Sequence, residues 1–164
     1  MNSPFAILLN GSINSGKTTV SKALQSVVPN LAHVEVDTLG EFIGWLPLEE
    51  QIPLNLANAV SVSLNFLHAG ISIVISYPLT SQEHSRLVKA FLPFPTHTFT
   101  LSPPLEVAQS RRGARELSEW EVERVAYHYS SGIATPAFGV VLDNSAGECR
   151  RYSVPHSDLS TSPG

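Results

Sequence analysis

The feature that most constrains this chain is the segment Gly11–Thr18, which satisfies the pattern Gly-x-x-x-x-Gly-Lys-Thr. An apolar run from Phe5 to Leu9 precedes it and predicts a buried strand. Apolar residues at helical spacing follow it over 19–28 and predict a helix that ends before Pro29. A glycine-rich turn between a strand and a helix is typical of a loop that wraps around phosphate groups, so the pattern predicts binding of a nucleoside triphosphate.

This loop supplies phosphate-binding groups from its backbone and from two side chains. Its two glycines let successive N–H groups point inward, and the following helix directs the positive end of its dipole to the same place. Lys17 is predicted to reach the β- and γ-phosphates, and the Thr18 hydroxyl is predicted to bind magnesium. We therefore expect ATP and Mg²⁺ as cofactors. The predicted nucleotide-binding residues are Gly11, Ser12, Asn14, Ser15, Gly16, Lys17, Thr18 and Thr19.

Length and composition restrict the class of protein. The 164 residues are enough for one domain with a substantial core, and the net charge of -4 argues against a nucleic-acid partner. No polybasic stretch indicates a membrane partner. The single cysteine, Cys149, excludes an intramolecular disulfide framework and suits a reducing compartment. The N-terminus lacks the features of a signal peptide, so we expect a cytoplasmic protein that is a monomer or a homodimer.

Predicted strands and helices alternate along the chain. After the first strand, further strands are predicted at 32–37, 71–76, 96–101 and 139–143. Helices are predicted between them, the longer ones at 54–68, from about 80 to 91, and over 105–129 with a break near Gly113. This alternation predicts an α/β protein, a three-layer α/β/α sandwich with a five-stranded parallel sheet. We expect it to cover residues 1–148, with a loose tail over 149–164.

Asp37 is the candidate catalytic carboxylate. It is predicted at the carboxyl end of the second strand, and parallel sheets bind their ligands at that edge. A carboxylate there can take a proton from an acceptor hydroxyl as the γ-phosphate arrives. It can alternatively bind magnesium, directly or through water. The plainer alternative is that Asp37 caps the helix that follows.

Basic residues are concentrated in the broken helix predicted over 105–129. The arginines there are Arg111, Arg112, Arg115 and Arg124. Because phosphoryl transfer spreads negative charge that mobile arginines stabilise, we predict a lid near 111–118 with Arg111 and Arg115 as catalytic residues. The alternative is a solvated helix in which nearby glutamates pair with these arginines. Ser118 followed by Glu121 predicts a capping box at the start of the second half.

These features together resemble the small P-loop kinases, a group that includes shikimate kinase, adenylate kinase and chloramphenicol phosphotransferase. The pattern is most similar to the last family, which pairs Leu-Asn-Gly…Gly-Lys-Ser/Thr with Val-Asp-Ser/Thr-Leu, as in Leu9–Thr18 and Val36–Leu39 here. The resemblance implies a P-loop NTPase fold like that of nucleoside monophosphate kinases and assigns the general base to Asp37. One difference concerns magnesium, because Ser76 stands where such kinases often carry an aspartate.

The interval between Lys22 and Arg86 contains no lysine or arginine. It supplies the acceptor side in folds of this type, and an anionic acceptor needs cations there. We therefore expect a small neutral or cationic molecule with a hydroxyl group, such as an antibiotic or another natural product, with Phe42 and Trp45 as candidate pocket walls. The alternatives are a nucleotide-binding sensor or NTPase without a small-molecule acceptor, and a metabolite kinase of the nucleoside or shikimate type.

Overall fold

The structure is a computed structural model that describes residues 3–110, 116–145 and 150–152. Its strands are β1 (Ala6–Gly11), β2 (Leu31–Glu35), β3 (Ser72–Ser76), β4 (Thr96–Leu101), β5 (Val140–Asp143) and β6 (Arg150–Tyr152). Its helices are α1 (Lys17–Val27), α2 (Val36–Gly40), α3 (Leu48–His68), α4 (Ser81–Ala90), α5 (Leu105–Ala108) and α6 (Glu119–Ser130).

The strands form one sheet in the order β2-β3-β1-β4-β5-β6. The first five in this order are parallel, and β6 pairs antiparallel with β5. Helices cover the sheet, so the predicted three-layer α/β/α fold with five parallel strands is confirmed. The central strand β1 ends at the phosphate loop, which places this loop in the middle of the carboxyl edge of the sheet.

Both faces of β1 are buried because successive side chains of a strand point to opposite faces. Ala6 and Leu8 belong to a core cluster that also contains buried residues of α3 and α4, such as Leu67 and Leu87. The side chains on the other face, which include Leu9, pack against the partly buried apolar residues of α1. The loop between β1 and α1 therefore starts from a strand that is held on both sides.

The second strand is shorter than predicted, and this changes the position of Asp37. β2 ends at Glu35, and Asp37 lies in the first turn of α2. The Thr38 hydroxyl donates to the backbone carbonyl of Glu35 at 2.7 Å, and the Val36 side chain is fully buried in the core. With these two contacts the helix starts at Val36, one residue before the position at which the strand was predicted to end.

The predicted helix over 105–129 is divided into α5 and α6. The capping box of α6 is confirmed, since the Ser118 hydroxyl accepts from the Glu121 amide and the Glu121 carboxylate accepts from the Ser118 amide. Residues 111–115 lie outside the described residues, and with them lie Arg111, Arg115 and most of the predicted lid.

Two further differences concern the ends of elements. Helix α3 starts at Leu48, six residues before the predicted start, and contains Pro53 near its beginning. Strand β6 falls in the stretch predicted to be a loose tail, where it extends the sheet by one antiparallel strand; residues 153–164 lie outside the described residues. Among the helices that the structure describes, none combines the length and the apolar character needed to cross a bilayer.

Candidate active site

The phosphate loop depends on two glycines with unusual backbone conformations. Gly11 has φ +145° and Gly16 has φ +97°, values that residues with a Cβ atom rarely adopt. A Cβ atom at Gly11 would lie 2.6 Å from the carbonyl oxygen of Leu101, far closer than van der Waals contact. Glycine is therefore required at position 11 both by the turn and by the neighbouring strand.

Two asparagine side chains tie the loop to distant parts of the chain, one from within the loop and one from the end of β5. The Asn14 amide donates to the carbonyl oxygens of Ala108 and Ser110 at 2.8 and 2.9 Å. The Asn144 amide, just after β5, donates to the carbonyl oxygen of Ser15 at 2.8 Å. The loop is thus joined to the α5 segment and to the end of β5, both distant in sequence.

Lys17 folds back over the loop. Its ammonium donates to the carbonyl oxygens of Gly11 and Ser12 at 3.0 and 2.7 Å. Burial lowers the pKa of Lys17 to about 8, while the nearby carboxylates of Asp37 and Glu35 act in the opposite direction. The ammonium therefore lies at the mouth of the loop between carbonyl dipoles and two acidic side chains.

The Thr18 hydroxyl donates to the carboxylate of Glu35 at 2.6 Å. Glu35 is absent from the residues predicted for the site, although the rule that ligands bind at the carboxyl ends of parallel strands would have found it as the last residue of β2. Thr18 and Glu35 together present a hydroxyl and a carboxylate, which are hard oxygen ligands of the kind that Mg²⁺ prefers. The described residues contain no group of three or more His, Cys, Asp or Glu arranged for a metal. One or two protein ligands, with phosphates and water, suffice for Mg²⁺, so these residues fit that ion.

Asp37 faces the same region from α2. Burial in the cleft raises the pKa of its carboxyl group, Glu35 raises it further, and Lys17 lowers it. Much of the Asp37 side chain is nevertheless accessible to solvent, as a group that meets an incoming molecule must be. The N-cap residue of α2 is Glu35, so Asp37 does not cap this helix.

Two cavities meet at the phosphate loop, and Asn14, Lys17 and Thr18 line both. The Asn144 cavity has a volume of about 440 Å³, and the loop and the first turn of α1 line it together with Asn144. The Asp37 cavity has a volume of about 540 Å³. Its lining residues are Ile13, Asn14, Lys17, Thr18, Glu35, Asp37, Leu48, Ile52, Ser76, Tyr77, Pro78, Thr80, Glu83, Trp120, Glu121, Arg124, Tyr127, His128 and Ile133.

The aromatic walls of the Asp37 cavity are not the predicted ones. Phe42 and Trp45 are 84% and 78% exposed and do not line it, so that prediction is wrong. The connection between α2 and α3 carries these two side chains into solvent. Tyr77, Trp120 and Tyr127 line the cavity instead, two of them from α6.

Helix α6 adds a cation to this cavity. The Arg124 guanidinium lies 4.8 Å from the centre of the Tyr127 ring, in a cation–π contact, and lines the cavity. Arg124 is one of the four arginines of the broken helix predicted over 105–129, but it was not assigned to the site. It lies on α6, outside the lid predicted near 111–118.

His128, one turn after Arg124, connects α6 to the phosphate loop. Its Nδ1 atom lies 3.3 Å from the Ser12 hydroxyl and accepts from the Ile13 amide at 3.4 Å. The side chain is buried, and burial, with Arg124 and Lys17, lowers its pKa to about 4. The ring is therefore neutral near pH 7 and can act as an acceptor. No spacing of residues in the sequence indicates this contact.

Solved structures with a similar fold include kinases and a resistance protein. One is a sugar kinase from Janibacter sp. (TM-score 0.63, 21% identity, covering 85% of each chain). A second is a gluconokinase from Sinorhizobium meliloti (TM-score 0.62, 18% identity, 87% of this chain and 84% of that chain). A third is the tunicamycin resistance protein of Deinococcus radiodurans (TM-score 0.55, 20% identity, 88% of each chain).

These likenesses establish the P-loop kinase fold, and the specific likeness to chloramphenicol phosphotransferase stays a prediction. The chain spans 46% of the length of a chain from an RNA repair complex that it also resembles (TM-score 0.59, 14% identity). No family model matches the chain, and no curated protein is significantly similar to it in sequence.

Proposed function

We propose that this chain is an ATP-dependent phosphotransferase that moves the γ-phosphate to a hydroxyl group of a small neutral or cationic molecule. The observation that carries the proposal is the Asp37 cavity, in which one space is lined by Lys17 and Thr18 of the phosphate loop and by the Asp37 carboxylate. A nucleotide sensor needs only the phosphate loop with Lys17 and Thr18. A phosphotransferase also needs a group such as the Asp37 carboxylate, and it needs both to face the same space.

The two cavities suggest how the substrates are divided. We assign the nucleoside part of ATP to the Asn144 cavity, which borders the first turn of α1, and the acceptor to the Asp37 cavity. The residues shared by both cavities, Asn14, Lys17 and Thr18, would then contact the triphosphate where it meets the acceptor. Mg²⁺, when bound with the nucleotide, neutralises phosphate charge and favours transfer.

Asp37 is proposed as the general base. A carboxylate whose pKa is raised is a better proton acceptor near neutral pH than an ordinary aspartate. Its accessible position lets an alcohol approach, and its first-turn location in α2 holds it on a fixed element. Lys17 and Arg124 would stabilise the charge on the transferred phosphoryl group. The proposed roles of Arg111 and Arg115 concern residues outside the described ones.

The charges of the Asp37 cavity support a neutral or cationic acceptor. The described residues that line it include four carboxylates but only two fixed cations. The carboxylates belong to Glu35, Asp37, Glu83 and Glu121, and the cations to Lys17 and Arg124. The three aromatic walls offer apolar and cation–π contacts to such a molecule. The fold shared with a tunicamycin resistance protein makes an antibiotic one candidate.

An acceptor screen tests this proposal. ATP consumption and product mass would be measured with aminoglycosides, chloramphenicol and tunicamycin, and with shikimate, gluconate and nucleoside monophosphates. We expect phosphorylation of a member of the neutral or cationic set, and loss of it in Asp37→Asn. Turnover with anionic acceptors alone would overturn the assignment of a neutral or cationic acceptor. The assignment of the chain as a phosphotransferase would then still stand.

A metabolite kinase with an anionic acceptor is the second candidate function. Arg124 favours it, because this residue places a guanidinium in the Asp37 cavity, where it can bind a carboxylate. The gluconokinase fold is consistent with such an acceptor. Arg124→Gln distinguishes the two candidates. It raises KM for an anionic acceptor strongly, whereas with a neutral acceptor its main effect is on kcat.

A further inference from the structure

A carboxylate is already hydrogen-bonded to the hydroxyl of Thr18, the second residue of α1. Glu35 Oε1 and Thr18 Oγ1 are 2.6 Å apart, the distance of a strong hydrogen bond to an ionised acceptor. Thr18 and Glu35 both line the Asp37 cavity, and Thr18 also lines the Asn144 cavity. The pair therefore lies at the point where a triphosphate and its cation would enter.

Strand register explains why Glu35 reaches this point. Glu35 is paired with Ser76, the last residue of β3, and Ser76 is in turn paired with Leu9 of β1. Side chains at paired positions of neighbouring strands stand on the same face of a sheet. Glu35 and Ser76 therefore lie side by side on the face covered by α1. Ser76 is occupied by a different contact, since its hydroxyl lies 2.8 Å from Nε2 of His33.

We propose that Glu35, together with Thr18, forms the divalent-cation site of this chain, which leaves Asp37 to the acceptor. Ser76 has no carboxylate to offer a cation. Glu35 of the adjacent strand β2, whose side chain is longer, supplies the carboxylate instead. The inference deepens the proposed function and rests on it. It also separates the two roles predicted for Asp37, general base and metal ligand, between two residues.

Position and hydrogen bonding favour Glu35 over Asp37 for the cation. Glu35 directly contacts the hydroxyl expected to bind the metal, and its backbone carbonyl accepts from the Thr38 hydroxyl at 2.7 Å, which holds this end of β2. Asp37 lies one residue into α2, beyond this contact. A ligand on a rigid strand end suits a cation that demands a regular geometry.

Nucleotide and metal binding test the inference without any measurement of turnover. Isothermal titration with the nonhydrolysable analogue AMPPNP, with and without Mg²⁺, gives the metal dependence of affinity, and Mn²⁺ electron paramagnetic resonance measures bound cation. In Glu35→Gln we expect affinity for Mn²⁺ with AMPPNP to fall about 10- to 100-fold, with metal-free AMPPNP binding nearly unchanged. Glu41→Gln, an exposed acidic residue at the end of α2, is the matched control and should behave as wild type.

A second pair of variants guards against a folding defect. Glu35→Ser removes the carboxylate, and Glu35→Ser with Ser76→Asp returns one to the neighbouring strand on the same face. Recovery of the Mg²⁺ dependence in the double variant supports the inference. Mg²⁺ dependence that survives in Glu35→Ser, with thermal unfolding like that of wild type, overturns it.

The failures of the inference and of the proposed function are distinct. If wild-type protein binds no AMPPNP with or without Mg²⁺, the proposed function fails and this inference fails with it. If AMPPNP binds and the Mg²⁺ dependence survives in Glu35→Gln but disappears in Asp37→Asn, only the assignment of Glu35 is overturned.

Discussion

The Nδ1 atom of His128 accepts a hydrogen bond from the Ile13 amide at 3.4 Å and lies 3.3 Å from the Ser12 hydroxyl. This contact joins residues more than 110 positions apart. It connects the phosphate loop to the helix that carries Arg124 into the Asp37 cavity. The position of α6 and the conformation of the loop are therefore linked through one neutral ring.

Replacement of His128 should destabilise the phosphate loop when the new side chain cannot accept the hydrogen bond from the Ile13 amide. His128→Ala leaves the partly buried Ile13 amide without its partner, and we expect a loss of about 1–3 kcal/mol in the free energy of unfolding. We also expect weaker AMPPNP binding. His128→Asn places a carbonyl oxygen near the position of Nδ1 and should restore most of both quantities. Denaturant unfolding and calorimetric titration measure them, and equal defects in the two variants would contradict a role as acceptor.

The lowered pKa of His128 predicts a specific loss of stability in acid. The unfolded chain takes up a proton as the pH falls below 6.5, whereas the folded chain does so only near 4, so the free energy of unfolding decreases between these values. Burial of the ring is the main cause of the lowered pKa. The positive charges of Arg124 on the same helix and of Lys17 on α1 lower it further. Above pH 6.5 this residue contributes no pH dependence.

The variant His128→Asn isolates this contribution. The pKa values of His33 and His84 are also lowered, and that of Asp37 is raised, but these groups remain in both proteins. We therefore expect the stability of the variant to fall less steeply than that of wild type between pH 6.5 and 4. Urea unfolding at several pH values measures the difference. Parallel curves would show that His128 titrates normally in the folded protein.

Asp37→Asn should separate binding from transfer. Asparagine keeps the size of the side chain but cannot accept the proton of an alcohol, so we expect kcat to fall by about 10²-fold or more. Binding of AMPPNP should be nearly unchanged, because the proposal places Asp37 toward the acceptor. The measurements are turnover with the acceptor identified by the screen and calorimetric titration. A variant with unimpaired kcat would exclude Asp37 as the base.

Gly11→Ala tests the geometry of the loop directly. The added Cβ would lie 2.6 Å from both the Leu101 carbonyl oxygen and the Ser15 hydroxyl, at a φ of +145°. We expect a loss of about 1–3 kcal/mol in the free energy of unfolding and weaker nucleotide binding. Gly44→Ala is the control, since a Cβ there has open space. Equal stability of the two variants would contradict the described loop conformation.

Local patterns predicted most of the fold. The five parallel strands and the helix after the phosphate loop were each signalled by residues close together in sequence, as were both ends of the capping box at Ser118 and Glu121. The ends of strands and helices were predicted less accurately, because the position of each end depends on individual contacts. The end of β2 is an example: burial of Val36 and the hydrogen bond from Thr38 moved Asp37 from a strand into a helix.

The motif and the alternation of elements were sufficient to indicate a phosphate loop at the carboxyl edge of a parallel sheet, because backbone conformation and hydrophobic period are local properties. The partners of that loop were decided by folding. Glu35 meets Thr18 only because β2 lies beside β3, and His128 meets Ser12 only because α6 returns to the first strand. Such contacts join residues far apart along the chain, and no short segment contains the information that brings them together.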